Sequence, residues 1–149
     1  MPTDHRDYSG APLWKKLGVG PGTRIRVVDP PAGFDDALVA IAPLPDGVSF
    51  LARSTYDIDV VIAFFTKASA LQRRFPSLAR SISTDGRLWI AWPKKAAPVD
   101  TDLDFASVQG TGLDAELVDN KSASITHEFQ GVQFVRRTRD RAKHRTLAR

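Results

Sequence analysis

Cysteine is absent from the 149 residues, and methionine occurs only as the first. Without a thiol there is no disulfide framework, no thiolate metal site and no cysteine nucleophile. Histidine is nearly as scarce: His5 and His144 fall near the two ends and His127 in a stretch that reads as a turn. That spacing suggests neither a metal site nor a nucleophile–base pair. No apolar run approaches the ~20 residues a membrane-spanning helix needs. The opening, Met1 to Asp7, carries no apolar core of a signal peptide, so export is not expected and a cytoplasmic location is the expectation. Neither a Gly-x-x-x-x-Gly-Lys-Ser/Thr phosphate loop nor a Gly-x-Ser-x-Gly elbow occurs, and there is no internal repeat.

What is present suits one soluble domain: 42% hydrophobic residues to fill a core and 26% charged residues to cover it. The net charge of +4 is unevenly placed. Residues 136–149 hold seven Lys/Arg against Asp140, a net of +6, which leaves the remainder at −2. Three regions follow: a flexible N-terminus over residues 1–10, one α/β domain over 11–137, and a basic, flexible tail over 138–149. Such a tail either contacts nucleic acid or an acidic partner through Arg139, Arg141, Lys143 and Arg145, or is simply a solvated end. No aromatic residue interleaves its charges, which favours the solvated end.

The organising stretch is Gly86 to Lys95, an apolar run opened by an Asp85-Gly86 turn and stopped by Pro93 and two lysines. Before it, Ala11 to Val19 reads as a short helix or turn that tucks in Leu13, Trp14 and Leu17. Arg24 to Asp29 is a β-branched strand ended by Pro30-Pro31. Phe34, Leu38 and Ile41 recur at helical spacing. Val48 to Arg53 predicts a second strand. Asp57 to Phe65 is continuously apolar, as a strand covered on both faces should be, and is the expected central strand. Thr66 is placed to cap a helix running to Ser83, which Pro76 should kink or split. Asp100-Thr101-Asp102 reads as the capping sequence of a helix expected near residues 102–110 and ended by Gly110 and Gly112, with Asp100, Asp102 and Asp104 about its first turn. These acids read as helix-dipole partners, with a divalent-cation site as the alternative. Glu116 to Ile125 and Gly131 to Arg137 predict an antiparallel hairpin. The three tryptophans read as core aromatics.

Strands alternating with covering helices predict a three-layer, Rossmann-like α/β sandwich with a mainly parallel sheet. Its C-terminal antiparallel hairpin resembles the fold of S-adenosylmethionine (SAM)-dependent methyltransferases, truncated here: between Arg53 and Asp57 there is no room for the strand and helix that the comparison calls for. Ligands of such sheets bind beyond the carboxyl ends of the strands. That rule nominates Asp29, Thr66, Lys67, Trp92, Lys94 and Lys95 as ligand-binding, with two nearby helix N-termini and the lysines suiting an anion. The alternative is that Trp92 and Pro93 close the core and the lysines are solvated. The resemblance also implies a Gly-rich turn after the first strand and an acidic residue ending the second. Here the turn is Asp29-Pro30-Pro31-Ala32-Gly33-Phe34, and the acid's place falls at Arg53 and Ser54.

Ser9-Gly10-Ala11-Pro12-Leu13-Trp14-Lys15-Lys16-Leu17-Gly18, Trp92-Pro93-Lys94-Lys95 and Phe134-Val135-Arg136-Arg137 together resemble an uncharacterised bacterial family classed as a domain of unknown function. The resemblance spans residues 9–137 and implies a small cytoplasmic protein without assigned activity. The expectation is therefore a non-catalytic or degenerate methyltransferase-like domain, without a cofactor, that binds an anionic small molecule or a protein partner. The alternatives are a SAM-dependent methyltransferase with an atypical cofactor loop, and nucleic-acid binding through the tail.

Overall fold

The computed structural model describes residues 10–53 and 55–147. The expectations for residues 1–9, and the part of the second-strand reading that rests on Ser54, lie outside them. Among the described residues the order is α1 (Leu13–Lys16), β1 (Arg24–Val28), α2 (Phe34–Leu38), β2 (Ser49–Phe50), β3 (Ile58–Phe64), α3 (Ala68–Ser81), β4 (Ile82–Pro93), α4 (Phe105–Asp114), β5 (Leu117–Ser124), β6 (Phe129–Arg136) and α5 (Thr138–Leu147). The six strands form one sheet in the order β2-β1-β3-β4-β6-β5. The first four are mutually parallel; β6 joins β4 antiparallel and carries β5 on its outer side.

The sheet separates two apolar layers. Alternate residues of β3 and β4 (Val61, Ala63, Leu88, Ile90, Trp92) meet Leu71, Phe75, Leu78 and Val108 of α3 and α4. The opposite set (Val60, Ile62, Phe64, Trp89, Ala91) meets Leu13 and Leu17, in α1 and just beyond it, and Phe34 and Leu38 of α2. This is the three-layer sandwich, and β3, buried on both faces, is central as its unbroken apolar run requires. Trp89 is fully buried and donates its indole N–H to the Leu17 carbonyl at 3.0 Å, fixing α1 against the sheet. The half-buried Trp14 donates likewise to the Ala42 carbonyl at 2.9 Å.

Two local expectations are overturned. Asp85-Gly86 is not a turn opening the organising strand: β4 begins at Ile82, immediately after α3, and Ser83–Gly86 form a bulge, since Ile58 pairs with Ile82 but Val60 with Arg87. Gly86 sits against the Ile58 carbonyl and Ser83, where a Cβ would lie 2.9 Å from both. Gly110 and Gly112 do not end a helix. They lie inside α4, which runs to Asp114, and a Cβ on Gly112 would land on the buried Phe134 ring. Of the two forms Pro76 allows, a split or a kinked helix, the split is not seen: α3 is one continuous element.

Residues 138–147, expected as a flexible tail, form helix α5, held to the amino edge of the parallel strands. Arg141 donates to the Arg136 carbonyl at 3.1 Å, Arg145 to Asp85 at 3.3 Å, and His144 shares a 2.8 Å hydrogen bond with Thr84. Arg136 itself is buried and donates to the Ser83 and Ala79 carbonyls at 2.6 and 3.0 Å. Local charge predicts a solvated end; tertiary hydrogen bonds override it.

Gly112→Ala should destabilise the fold. Helix propensity favours Ala over Gly by ~1 kcal/mol, but overpacking costs ~1–3 kcal/mol, and the Phe134 ring that the new Cβ would meet is fully buried and edge-to-face on Phe75 at 5.4 Å. Urea unfolding should show a net loss of up to ~2 kcal/mol, and an unchanged midpoint would show that the helix is not in close contact.

A pH dependence follows from His144. Burial lowers its pKa, Arg136 and Arg145 lower it further, and Asp57 opposes them. The unfolded chain therefore binds the proton more tightly, so the stability from this group is full above the ordinary value of about 6.5 and is lost as pH falls through the folded-state pKa. The melting temperature should drop on acidification below about pH 6.5, and His144→Asn should flatten that part of the curve.

Candidate functional site

The carboxyl edge of the parallel strands is built by the chain breaks the sequence supplies there. After β1, Asp29 takes a left-handed backbone (φ 53°), and Pro30-Pro31 turn the chain toward α2. After β3 the apolar run ends in Phe65-Thr66-Lys67, and Lys67, in an extended conformation, is the N-cap of α3. Thr66 does not cap the helix as expected. Its carbonyl accepts from the Thr101 hydroxyl at 2.8 Å and from the Asp102 N–H at 3.3 Å, while the Asp102 carboxylate takes the Ala68 N–H at 2.7 Å. The acids at 100–104 are thus not first-turn dipole partners of one helix. Asp102 caps α3 across space. Asp104 caps α4 in a reciprocal box with Ser107, whose hydrogen bonds hold the Asp104 carboxyl below the usual carboxylate range. Among the described residues no three acids or histidines gather as a metal site.

A cavity of about 350 Å³ opens between the loop after β1 and the first turns of α3. Of the residues the sequence nominates, Asp29, Thr66 and Lys67 line it together. Trp92, Lys94 and Lys95 do not. Trp92 is buried in the core under α3 and α4. The Lys94 ammonium donates to the Ser124 hydroxyl at 2.7 Å on the hairpin, and Lys95 faces solvent in the following loop. They miss the cavity because β4 feeds directly into pairing with β6: the Lys94 N–H is bound to the Glu128 carbonyl at 2.8 Å, which turns the chain toward the hairpin.

Two cations that the sequence reading passes over complete the site. Arg73 and Arg74 lie one and a half turns into α3 and line the same cavity. The signal that could have found them is helical spacing, since Lys67, Ala70 and Arg74 fall three and four residues apart on one face. Arg74 donates to Asp29 at 3.1 Å across the cavity mouth, a partly exposed pair that holds the loop in place more than it stabilises the fold. On the adjacent strand, burial and the Arg74 charge lower the Arg26 pKa while Asp29 raises it. The apolar wall is Phe64 and Phe129, rings edge-to-face at 5.5 Å, with Phe34 beyond at 5.1 Å from Phe64. Lys67, Arg73 and Arg74 against the single carboxylate of Asp29 give the cavity an excess of positive charge. An anion fits these donors.

The nominated tail residues are largely engaged within the molecule. Arg141 and Arg145 make the hydrogen bonds given above, and Arg139 lies 3.8 Å from Asp140. Lys143 lines a different cavity, at the opposite edge of the sheet.

No protein-family model matches the chain, and no curated protein matches it in sequence. Solved structures do match. Magnesium protoporphyrin IX methyltransferase (ChlM) from Synechocystis PCC 6803, with bound SAM, is 12% identical, with 90% of this chain and 79% of that one aligned at a TM-score of 0.56. A SAM-dependent methyltransferase from Aquifex aeolicus is 12% identical over 90% and 98% of the two chains, TM-score 0.55. The ribosomal protein L11 methylase from Lactobacillus delbrueckii subsp. bulgaricus is 12% identical over 84% and 75%, TM-score 0.54. At such identities the likeness defines the fold: the chain has a methyltransferase-like Rossmann fold with a C-terminal antiparallel hairpin, consistent with truncation.

The donors at the carboxyl edge do not suit SAM in the mode the resemblance implies. β2 is two exposed residues long and leads into Leu51, Ala52 and Arg53, with no carboxylate there for a ribose. Pro30 and Pro31 remove two backbone donors from the turn after β1, and α2 has five residues. Space exists, about 290 Å³ along Pro30–Asp36 with open volume at Gly33, and the acids lining it, Asp35 and Asp36, belong to α2 and not to the end of the second strand.

Asp102→Ala should remove the acceptor for the first turn of α3 and cost about 1 kcal/mol, as lost N-caps do. Asp102→Asn should recover most of it. Equal urea midpoints for all three proteins would show that this cross-chain cap is idle.

Proposed function

We propose that the chain is a non-catalytic, degenerate methyltransferase-like domain that binds an anionic small molecule at the carboxyl edge of its sheet. The observation that carries this reading is the convergence of Lys67, Arg73 and Arg74 on one cavity, with an aromatic wall and one carboxylate already paired. Binding rather than chemistry is favoured because the lining holds no histidine, and its carboxylate is occupied by Arg74. The reading takes a cytoplasmic setting and kinship with the uncharacterised bacterial family that the Ser9 to Gly18 opening and Trp92 to Lys95 motif resemble. Both motifs have structural work in the fold: Leu13 and Leu17 fill the core, and Trp92 closes it.

Inorganic pyrophosphate should raise the melting temperature and bind measurably by calorimetry. Because a charge-assisted hydrogen bond contributes ~1.5–3 kcal/mol, the Arg73→Ala/Arg74→Ala double variant should lose at least about tenfold in affinity. Lys94→Ala/Lys95→Ala should bind as the parent does. If the double arginine variant binds undiminished, the site is wrong. If SAM stabilises the protein and pyrophosphate does not, the methyltransferase alternative replaces this reading.

A further inference from the structure

A larger cavity is at the other edge of the sheet, where the resemblance implies no ligand. It measures about 740 Å³, about twice the carboxyl-edge cavity and within the ~300–1,000 Å³ range of small-molecule sites. The C-terminal halves of α3 and α4, the start of β5 and helix α5 enclose it. Its floor is apolar: Phe75, Pro76 and Ala79 from α3 and Leu117 from β5.

Its polar groups divide into two classes. Arg136, His144 and Thr111 are spent on the protein, donating to or sharing hydrogen bonds with backbone and side-chain oxygens, and the third lining carboxylate, Asp140, lies 3.8 Å from Arg139. Arg80, Asp114, Glu116 and Lys143 have no hydrogen bond or ion pair among the described residues, and all four are exposed at the cavity. The two carboxylates come from the α4–β5 junction. The two cations come from the end of α3 and from α5. An acid in the last turn of α4, with no basic residue there, opposes the helix dipole. A bound ammonium group would relieve that opposition. The cations balance the carboxylates without pairing with them, so the cavity offers both signs of free charge over an apolar floor.

We propose that this cavity is a second binding site, specific for a zwitterionic small molecule with an apolar body, of the amino-acid or short-peptide class. The ammonium end lies toward Asp114 and Glu116, the carboxylate end toward Arg80 and Lys143, and the side chains lie over Phe75, Pro76 and Leu117. The site does not depend on the anion cavity for any residue.

Titration of the isotope-labelled full chain with phenylalanyl-leucine, followed by amide NMR, tests it. The expected shifts cluster at Gln72, Ala79, Thr111 and Ala115 and spare Thr66 and Lys67. N-acetylation or C-amidation of the dipeptide should each weaken binding about tenfold or more, the scale of one charge-assisted contact. Asp114→Asn/Glu116→Gln, on exposed positions that leave the fold intact, should bind the free and acetylated forms equally. No shifts at millimolar dipeptide, or equal binding of free and acetylated forms by the parent, would overturn the site. Shifts confined to Thr66–Arg74 would also overturn it, while leaving the anion reading standing.

Discussion

One buried guanidinium holds the junctions of this fold. Arg136, at the end of β6, reaches across β4 to the Ala79 and Ser83 carbonyls. Ala79 is in the last turn of α3, where carbonyls have no intrahelical partner and carry the negative end of the helix dipole. Ser83 is in the bulge that follows. A single cation therefore satisfies a helix end and a bulge at once, which is what lets α3 run into β4 without an intervening turn. Burial lowers the Arg136 pKa, yet a guanidinium keeps its charge, and no carboxylate among the described residues pairs with it. The oxygens around it replace water. The Arg136 carbonyl then receives Arg141, so the same residue fastens α5.

The sheet was legible because its signals are local and continuous. The apolar run of β3, the β-branched β1 ending at two prolines and the turn expected over Thr126–Gln130 each say one thing. The misreadings arise where a local signal meets a tertiary demand. Asp85-Gly86 is a turn dipeptide by composition, but here the glycine lets a bulge approach the Ile58 carbonyl. Gly112 reads as a helix stop, but its missing side chain is the space that Phe134 fills. Asp102 reads as belonging to the helix nearest in sequence, whereas it caps one 34 residues away. No spacing rule reveals that partner.

The candidate site divides the same way. Asp29, Thr66 and Lys67 follow from topology, because any residue just past a parallel strand reaches the carboxyl edge. Lys94 and Lys95 satisfy that rule in sequence and fail it in space, since hairpin pairing draws them aside. Arg73 and Arg74 needed the helix to be phased against the strand before it. A fold shared at 12% identity constrains backbone paths, and chemistry is set by the side chains at their ends.

Helix α3 lines both cavities, with Lys67, Ala70, Arg73 and Arg74 toward one edge and Phe75, Ala79 and Arg80 toward the other. Among the second set is Pro76, which has no N–H to return to the Gln72 carbonyl. The hydrogen-bond ladder of α3 is therefore one rung short beside that cavity. One helix thus faces both edges of this small sheet, so the two cavities have a wall in common although they share no residue.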